Sequence, residues 1–222
     1  MLRRRPRHRH PDPAPLNLTP ADEELRKADP AIGALIDARG PIDPDEDRRG
    51  SRPDPYEALA RAIVGQQLSV KAAGSIWARV IALFGDATPK PEQLVEIEPE
   101  RLREAGLSWS KVSYLRDLAE RVMDGELDLG RIAELDDEAV IEELTRIKGI
   151  GRWTGEMFLI FHLGRPDVVS TGDLGIRRAA QLAYKLDDLP APEELEQLAE
   201  GWRPHRSLAC LYLWRSLQNA PA

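Results

Sequence analysis

From Thr19 onward, apolar residues recur at three- and four-residue spacing and nowhere alternate over a useful length, so the chain reads as helical almost throughout. Thr19-Pro20 has the form of a cap followed by a first-turn proline, and Gly40-Pro41 stops a second helix that begins near Pro30. Residues 42–55 mix proline, glycine and charge without periodicity and read as a loop. Helices follow over Tyr56 to Val64 and, capped by Ser69, over a stretch in which Ala72, Ile76, Val80 and Leu83 share a face before Gly85 closes it. Pro91 to Ile97 and Pro99 to Ala105 predict short helices, and Ser110 to Met123 a longer one with Val112, Leu115, Leu118, Ala119 and Val122 on one side. Asp136 caps the next helix. The one after it, Arg152 to Leu163, is strongly apolar from Met157 to Phe161, which predicts a buried central helix. Asp173 is placed to cap Leu174 to Tyr184, Pro192 opens a short helix, and Pro204 to Leu217 is the last. The predicted class is all-α, with no repeat of solenoid length.

Composition narrows the function. At 222 residues the chain is long enough to bury a sizeable core without disulfides. Its one cysteine, Cys210, excludes an internal disulfide, a four-thiolate zinc site and a cysteine-ligated iron–sulfur cluster. No apolar run approaches a membrane span, and the basic start is followed by no apolar signal core, so the expected compartment is the cytoplasm. Residues 1–16 carry five Arg, two His and four Pro, the composition of a disordered tail; its His8 and His10 are read as solvated charge. Lys and Arg number 31 against 38 Asp and Glu, a net charge of −7, which argues against coating nucleic acid by bulk electrostatics. Any DNA contact has to be focal.

The segment IKGIGRWTG, residues 147–155, supplies such a focus. It is no dinucleotide fingerprint: the third glycine stands at 155 where the spacing needs 154, and a helix precedes it where a strand is required. It suits a tight turn between two helices, with Gly149 and Gly151 giving backbone freedom and close approach. Backbone N–H groups and a helix start then converge on one anion, a phosphate site that needs almost no Lys or Arg. A plain helix–turn–helix connection is the competing reading.

IKGIGRWTGEMFLIF followed by VVSTGDLGIRRA, with IVGQQLS upstream and WRPHRSLACLYLWR downstream, resembles the helix-hairpin-helix DNA glycosylase superfamily, and within it the 3-methyladenine DNA glycosylase II family of base-excision repair. The four segments run in the family's order from about residue 55 to 217. Too few residues precede the loop at 42–55 for the amino-terminal β-domain of some members, so the likeness is to the compact all-helical form. The resemblance implies one domain over 17–222 with two helical lobes, the central one roughly 55–165, and an active site in the cleft between them.

It also implies roles. Asp173 matches the family's catalytic aspartate: breaking a purine N-glycosidic bond builds positive charge on the sugar, which a nearby carboxylate stabilises while orienting water. Without the hairpin, Asp173 would read as a helix cap only. Bifunctional relatives carry a lysine nucleophile where this chain has Trp153, and Lys148 does not match that position, so the resemblance implies a monofunctional enzyme. Trp153 and Trp214 match residues lining the pocket for an extruded base, where aromatic faces suit a cationic alkylated purine; core packing is the commoner fate of a tryptophan. Met157 and Leu174 stand where some members have tyrosines. Gln67, with Leu68 second, matches the side chain that fills the gap left by the base, and Gln66 and Ser69 read as capping or buried-loop residues.

Phosphate contacts fall to the N–H groups of Gly149, Gly151 and Thr154, with Ser108 or Lys111 as weaker candidates. Carbonyls of Thr145, Ile147 and Ile150 match those that bind a monovalent cation, Na+ or K+; no other cofactor is implied. Arg177 and Arg178 read either as phosphate contacts or as structural pairs of core carboxylates, with pairing the preferred reading. The expected partner is double-stranded DNA with alkylated bases, with no membrane and no sign of more than a monomer, and nucleoid association follows from DNA binding. The competing functions are a non-catalytic helix-hairpin-helix DNA-binding or damage-sensing protein, and a glycosylase for ethenoadenine or hypoxanthine.

Overall fold

The structure, a computed structural model, describes residues 17–43 and 54–217. The tail at 1–16 and most of the loop at 42–55 lie outside the described residues. Among those described there is no strand, and no helix is long and apolar enough to cross a membrane.

Most helices start on a side-chain cap, on a first-turn proline, or on both. Thr19 caps α1 (Pro20–Ala28), and Asp22 returns a bond to the Thr19 N–H. Asp29 caps α2 (Pro30–Arg39) through the N–H groups of Ala31 and Ile32, and Asp54 caps α3 (Pro55–Gly65). Ser69 caps α4 (Val70–Ala82); α5 (Pro91–Glu96) and α6 (Pro99–Glu104) begin on prolines; Ser108 caps α7 (Trp109–Met123). Asp136 caps α8 (Asp137–Thr145), and α9 (Arg152–Met157) follows across a short turn. Asp173 caps α10 (Leu174–Tyr184), ahead of α11 (Pro192–Ala199) and α12 (Arg206–Leu217).

Two expectations shift. The apolar segment 152–163 is not one α-helix: after Met157 it widens into a π-helical stretch, Phe158–Leu163, ended by left-handed Gly164. The last helix begins at Arg206 rather than Pro204, because Asp167 holds the Arg206 guanidinium and backbone N–H, and residues 203–205 turn before it.

The buried side chains form two cores. One gathers α3 to α9 and the π segment around Leu59, Ile63, Leu115, Leu118, Leu144 and Leu159. The other joins α1 and α2 to α10, α11 and α12 around Ile32, Ile36, Ile176, Trp202, Tyr212 and Leu213, so the chain's first helices close onto its last. Each fully buried Leu or Ile contributes about 1.5–3 kcal/mol by leaving water. Polar groups in the second core are paired: Tyr212 donates to Asp22 at 2.7 Å, and Tyr184 and Trp202 both donate to Asp29. Phe161 and Trp214 pack against both cores and stack on each other, with centroids 5.6 Å apart, which marks where the two lobes meet.

Candidate active site and nucleic-acid interface

The hairpin between α8 and α9 is anchored from below. Ile147 and Ile150 are buried in the first core, and successive bonds from Ile147 N to Leu144 O and from Ile150 N to Ile147 O wind the turn tightly. Gly149 sits at φ +79°, a left-handed conformation that favours glycine. A β-carbon there would also lie 2.1 Å from the Tyr114 ring of α7. Gly151 differs from expectation. Its backbone is extended, which any residue adopts, and a β-carbon would meet nothing within 4 Å. What it leaves is open room in front of the turn.

The N–H groups of Gly149 and Gly151 donate to no group among the described residues. The N–H of Thr154 is a correction: it donates to Gly151 O at 2.9 Å, and its residue is buried, so it is already spent inside the helix start. Side-chain charge around the turn is paired. Lys148 bonds Asp117 through its ammonium and its backbone N–H, both at 2.9 Å. Arg152 grips Glu138 in bidentate fashion at 2.9 and 2.5 Å and reaches Glu156 at 3.1 Å. Desolvation would raise the Asp117 carboxyl, yet the bonds from Lys148 and Arg121 outweigh it and hold its pKa below the ordinary value. Buried Glu156 goes the other way: desolvation raises its pKa despite bonds from Ser170 and Arg152. The anion-facing surface of the turn is thus backbone N–H.

Asp173 lies beyond the π segment and a loop. Its Oδ1 accepts from Ile176 N at 2.8 Å, so the cap reading holds. The same oxygen accepts from the Trp214 indole at 3.0 Å, and Oδ2 accepts from the Trp153 indole at 2.7 Å. Three residues placed together only by the resemblance are therefore directly bonded, one indole arriving from the start of α9 and the other from α12. Trp153 is 50% exposed; Trp214 is half-buried against Phe161. Met157 packs partly against the first core a turn beyond Trp153, and Leu174, 67% exposed, stands beside Asp173.

Gln67 and Leu68 project from the turn between α3 and α4, Gln67 exposed at φ +58° and Leu68 at 38% exposure. Ser69 is the cap of α4, as one reading had it. Gln66 instead donates from Nε2 to Gly149 O at 2.7 Å. Ser108 is exposed and accepts from the Lys111 N–H as a cap. Lys111 is the second correction: its ammonium turns inward and donates to Val64 O and Gln66 O, each at 2.8 Å, which spends two of its three donors. Arg177 and Arg178 bond the Pro190 carbonyl and the Gln181 side chain in place of carboxylates.

The sequence reading missed Tyr114, Asp117 and Gly175. A β-carbon on Gly175 would lie 3.0 Å from Asp173 Oδ1 and 3.4 Å from the Trp214 ring, so this glycine makes room for the bonded trio. The spacing 111, 114, 117 along one face of α7 was the available signal for the other two.

A family model for base excision DNA repair proteins of the HhH-GPD superfamily matches residues 60–204. The chain is 36% identical over 206 residues to DNA-3-methyladenine glycosylase 1 of Schizosaccharomyces pombe, covering 92% of this chain and 90% of that one. It is 33% identical over 169 residues to a putative DNA-3-methyladenine glycosylase of Bacillus subtilis, covering 73% of this chain and only 59% of the longer relative. Among solved structures it is similar to DNA-3-methyladenine glycosidase from Bacillus halodurans, with a TM-score of 0.80 and 39% identity over 90% of each chain. It is also similar to the Schizosaccharomyces pombe 3-methyladenine DNA glycosylase in complex with abasic DNA, with a TM-score of 0.79 and 34% identity over 91% of this chain and 98% of that one. An all-helical body whose hairpin stands beside an indole-bound aspartate, matched in sequence and in shape, leaves one assignment: the chain belongs to the HhH-GPD superfamily of base excision DNA repair proteins.

Proposed function

We propose that the protein is a monofunctional DNA glycosylase that hydrolyses the N-glycosidic bond of alkylated purines, of the 3-methyladenine and 7-methylguanine type, in double-stranded DNA. The observation that carries this reading is the Asp173 carboxylate fixed by two indoles, one from each side of the lobe junction. Such a carboxylate sits beside aromatic surface, as the reaction requires. The flipped cationic base stacks on Trp153, while Asp173 faces the sugar as positive charge grows there. The C–N bond breaks with its electrons leaving on the base, already a good leaving group because it is cationic. Water oriented by Asp173 then adds to the sugar carbon and gives up its proton to that carboxylate, which returns it to solvent. Trp153 stands where a lysine nucleophile would be needed for strand cleavage, so the product is an abasic site in an uncut strand.

In this reading the free N–H groups of Gly149 and Gly151 bind a phosphate, Gln67 fills the gap left by the base, and Met157 and Leu174 border the pocket. The carbonyls of Thr145, Ile147 and Ile150 would hold a monovalent cation; in support, those of Thr145 and Ile150 accept from no N–H among the described residues, and that of Ile147 accepts one. Methylated duplex DNA incubated with the protein tests the assignment. Chromatography should find free 3-methyladenine, and strand breaks should appear only after alkali. Breaks without alkali would refute the monofunctional assignment, and binding without base release would favour a damage sensor.

A further inference from the structure

We infer that Lys111 and Gln66 are positioning residues that clamp the Gln67 turn to the phosphate-binding hairpin, so that gripping the DNA backbone and filling the gap are done by one rigid unit. This rests on the proposed glycosylase reading.

The clamp is built from groups that would otherwise be short of partners. Helix α3 ends at Gly65, and its last carbonyls have no intrahelical donors. Lys111, in the first turn of α7, supplies one of them, donating at 2.8 Å to the carbonyl of Val64 and equally to that of Gln66 just past the helix end. A cation at a helix C-terminus is also favoured by the helix dipole. The ammonium is partly withdrawn from water, and desolvation lowers its pKa from the ordinary 10.5. The second half of the clamp is the Gln66 side chain, whose Nε2 bonds Gly149 O at 2.7 Å. Gly149 is the left-handed residue of the hairpin, and its N–H is one of the two left open.

Between these anchors Gln67 is exposed at φ +58°, a region unfavourable for a residue with a side chain. It is held there by what flanks it: the Gln66 carbonyl on Lys111, and the Leu68 N–H on Gly65 O at 3.1 Å. The same face of α7 carries Tyr114 against Gly149 and Asp117 against Lys148. One helix thus fixes both turns, and Gln66 joins them to each other.

The test is a pair of double-mutant cycles on single-turnover base release from methylated duplex DNA, with Lys111→Met and Gln66→Leu each combined with Gln67→Ala. Each single clamp variant should slow release about tenfold, and in the Gln67→Ala background the further loss should be under about twofold, because both residues act through Gln67. Additive losses would overturn the inference. The salt dependence of duplex binding gives a second readout: Lys111→Met should leave the slope of log K against log salt unchanged, whereas a slope shallower by about one would return Lys111 to a phosphate contact. Should Lys111→Met fail to fold, as judged by thermal unfolding, the Gln66→Leu cycle decides alone. A wild type that releases no base refutes the glycosylase reading, and the salt slope still tests Lys111 separately.

Discussion

The ring of Tyr114 occupies the space that a β-carbon on Gly149 would need, with its nearest carbon 2.1 Å from that position. The hairpin can therefore turn where it does only because residue 149 has no side chain and a left-handed backbone. Gly151, two residues on, meets nothing. The two glycines of the motif serve different ends, one inward and one outward.

Substitutions should separate them. Gly149→Ala adds a left-handed penalty to an overpacking cost and should destabilise the fold by about 2–4 kcal/mol in denaturant titrations. Gly151→Leu should change stability by less than about 0.5 kcal/mol yet weaken duplex binding about tenfold or more, because its side chain would stand in the open room before the N–H groups. Equal effects on stability would remove the distinction.

The two indoles on Asp173 should also separate. Trp153→Phe keeps an aromatic face and removes the donor to Oδ2, so release of cationic base should slow about tenfold with little change in stability. Trp214→Ala opens a gap between both cores and should cost about 3–5 kcal/mol besides activity. If Trp153→Phe matches wild type in single-turnover release, the indole bond has no part in the reaction.

Gly175→Ala offers a cleaner probe, since alanine is the better helix former by about 1 kcal/mol. In the first turn of α10 that preference is set against the tight contact, so stability should change by less than about 1 kcal/mol, while base release falls about tenfold as the new methyl crowds Asp173 Oδ1 and the Trp214 ring. Unaltered release would mean that the trio tolerates displacement.

Two buried carboxylates predict opposite pH slopes. Asp117 is held below its ordinary 3.8, so its contribution is present above that value and lost as pH falls through the lower folded pKa. The advantage of wild type over Asp117→Asn in urea titrations should shrink on acidification below about pH 4. Glu156 is raised above its ordinary 4.5, so its contribution is fully present below that value and declines as pH rises through the folded pKa. Relative to Glu156→Gln, wild type should therefore be favoured most at low pH. The reverse trend would contradict the hydrogen bonding described for Asp117, and for Glu156 it would contradict the dominance of desolvation over its bonds from Ser170 and Arg152.

Local signals carried most of the fold. Thr19, Ser69, Asp136 and Asp173 all cap the helices they precede, since a cap acts over three residues and is legible in three residues; Asp29 and Ser108 prove to be caps as well, the latter in place of the phosphate contact expected of it. The late start of α12 depends on the tertiary contact between Asp167 and Arg206, and neither it nor the widening after Met157 left a local trace. The same limit explains Lys111. Its partners lie 45 and 47 residues away, so a lysine at a helix start read as a phosphate ligand. Asp173, Trp153 and Trp214 were legible because a family pattern brought them together; spacing alone would have left a cap and two core residues.

The most direct test of the account is Asp173→Asn, which keeps size and the capping oxygen but removes the charge. Single-turnover release of 3-methyladenine from methylated duplex should fall by at least about a thousandfold, or 4 kcal/mol of transition-state stabilisation, while affinity for abasic duplex stays within about threefold. Release at the wild-type rate would contradict the assignment of Asp173 as the catalytic carboxylate.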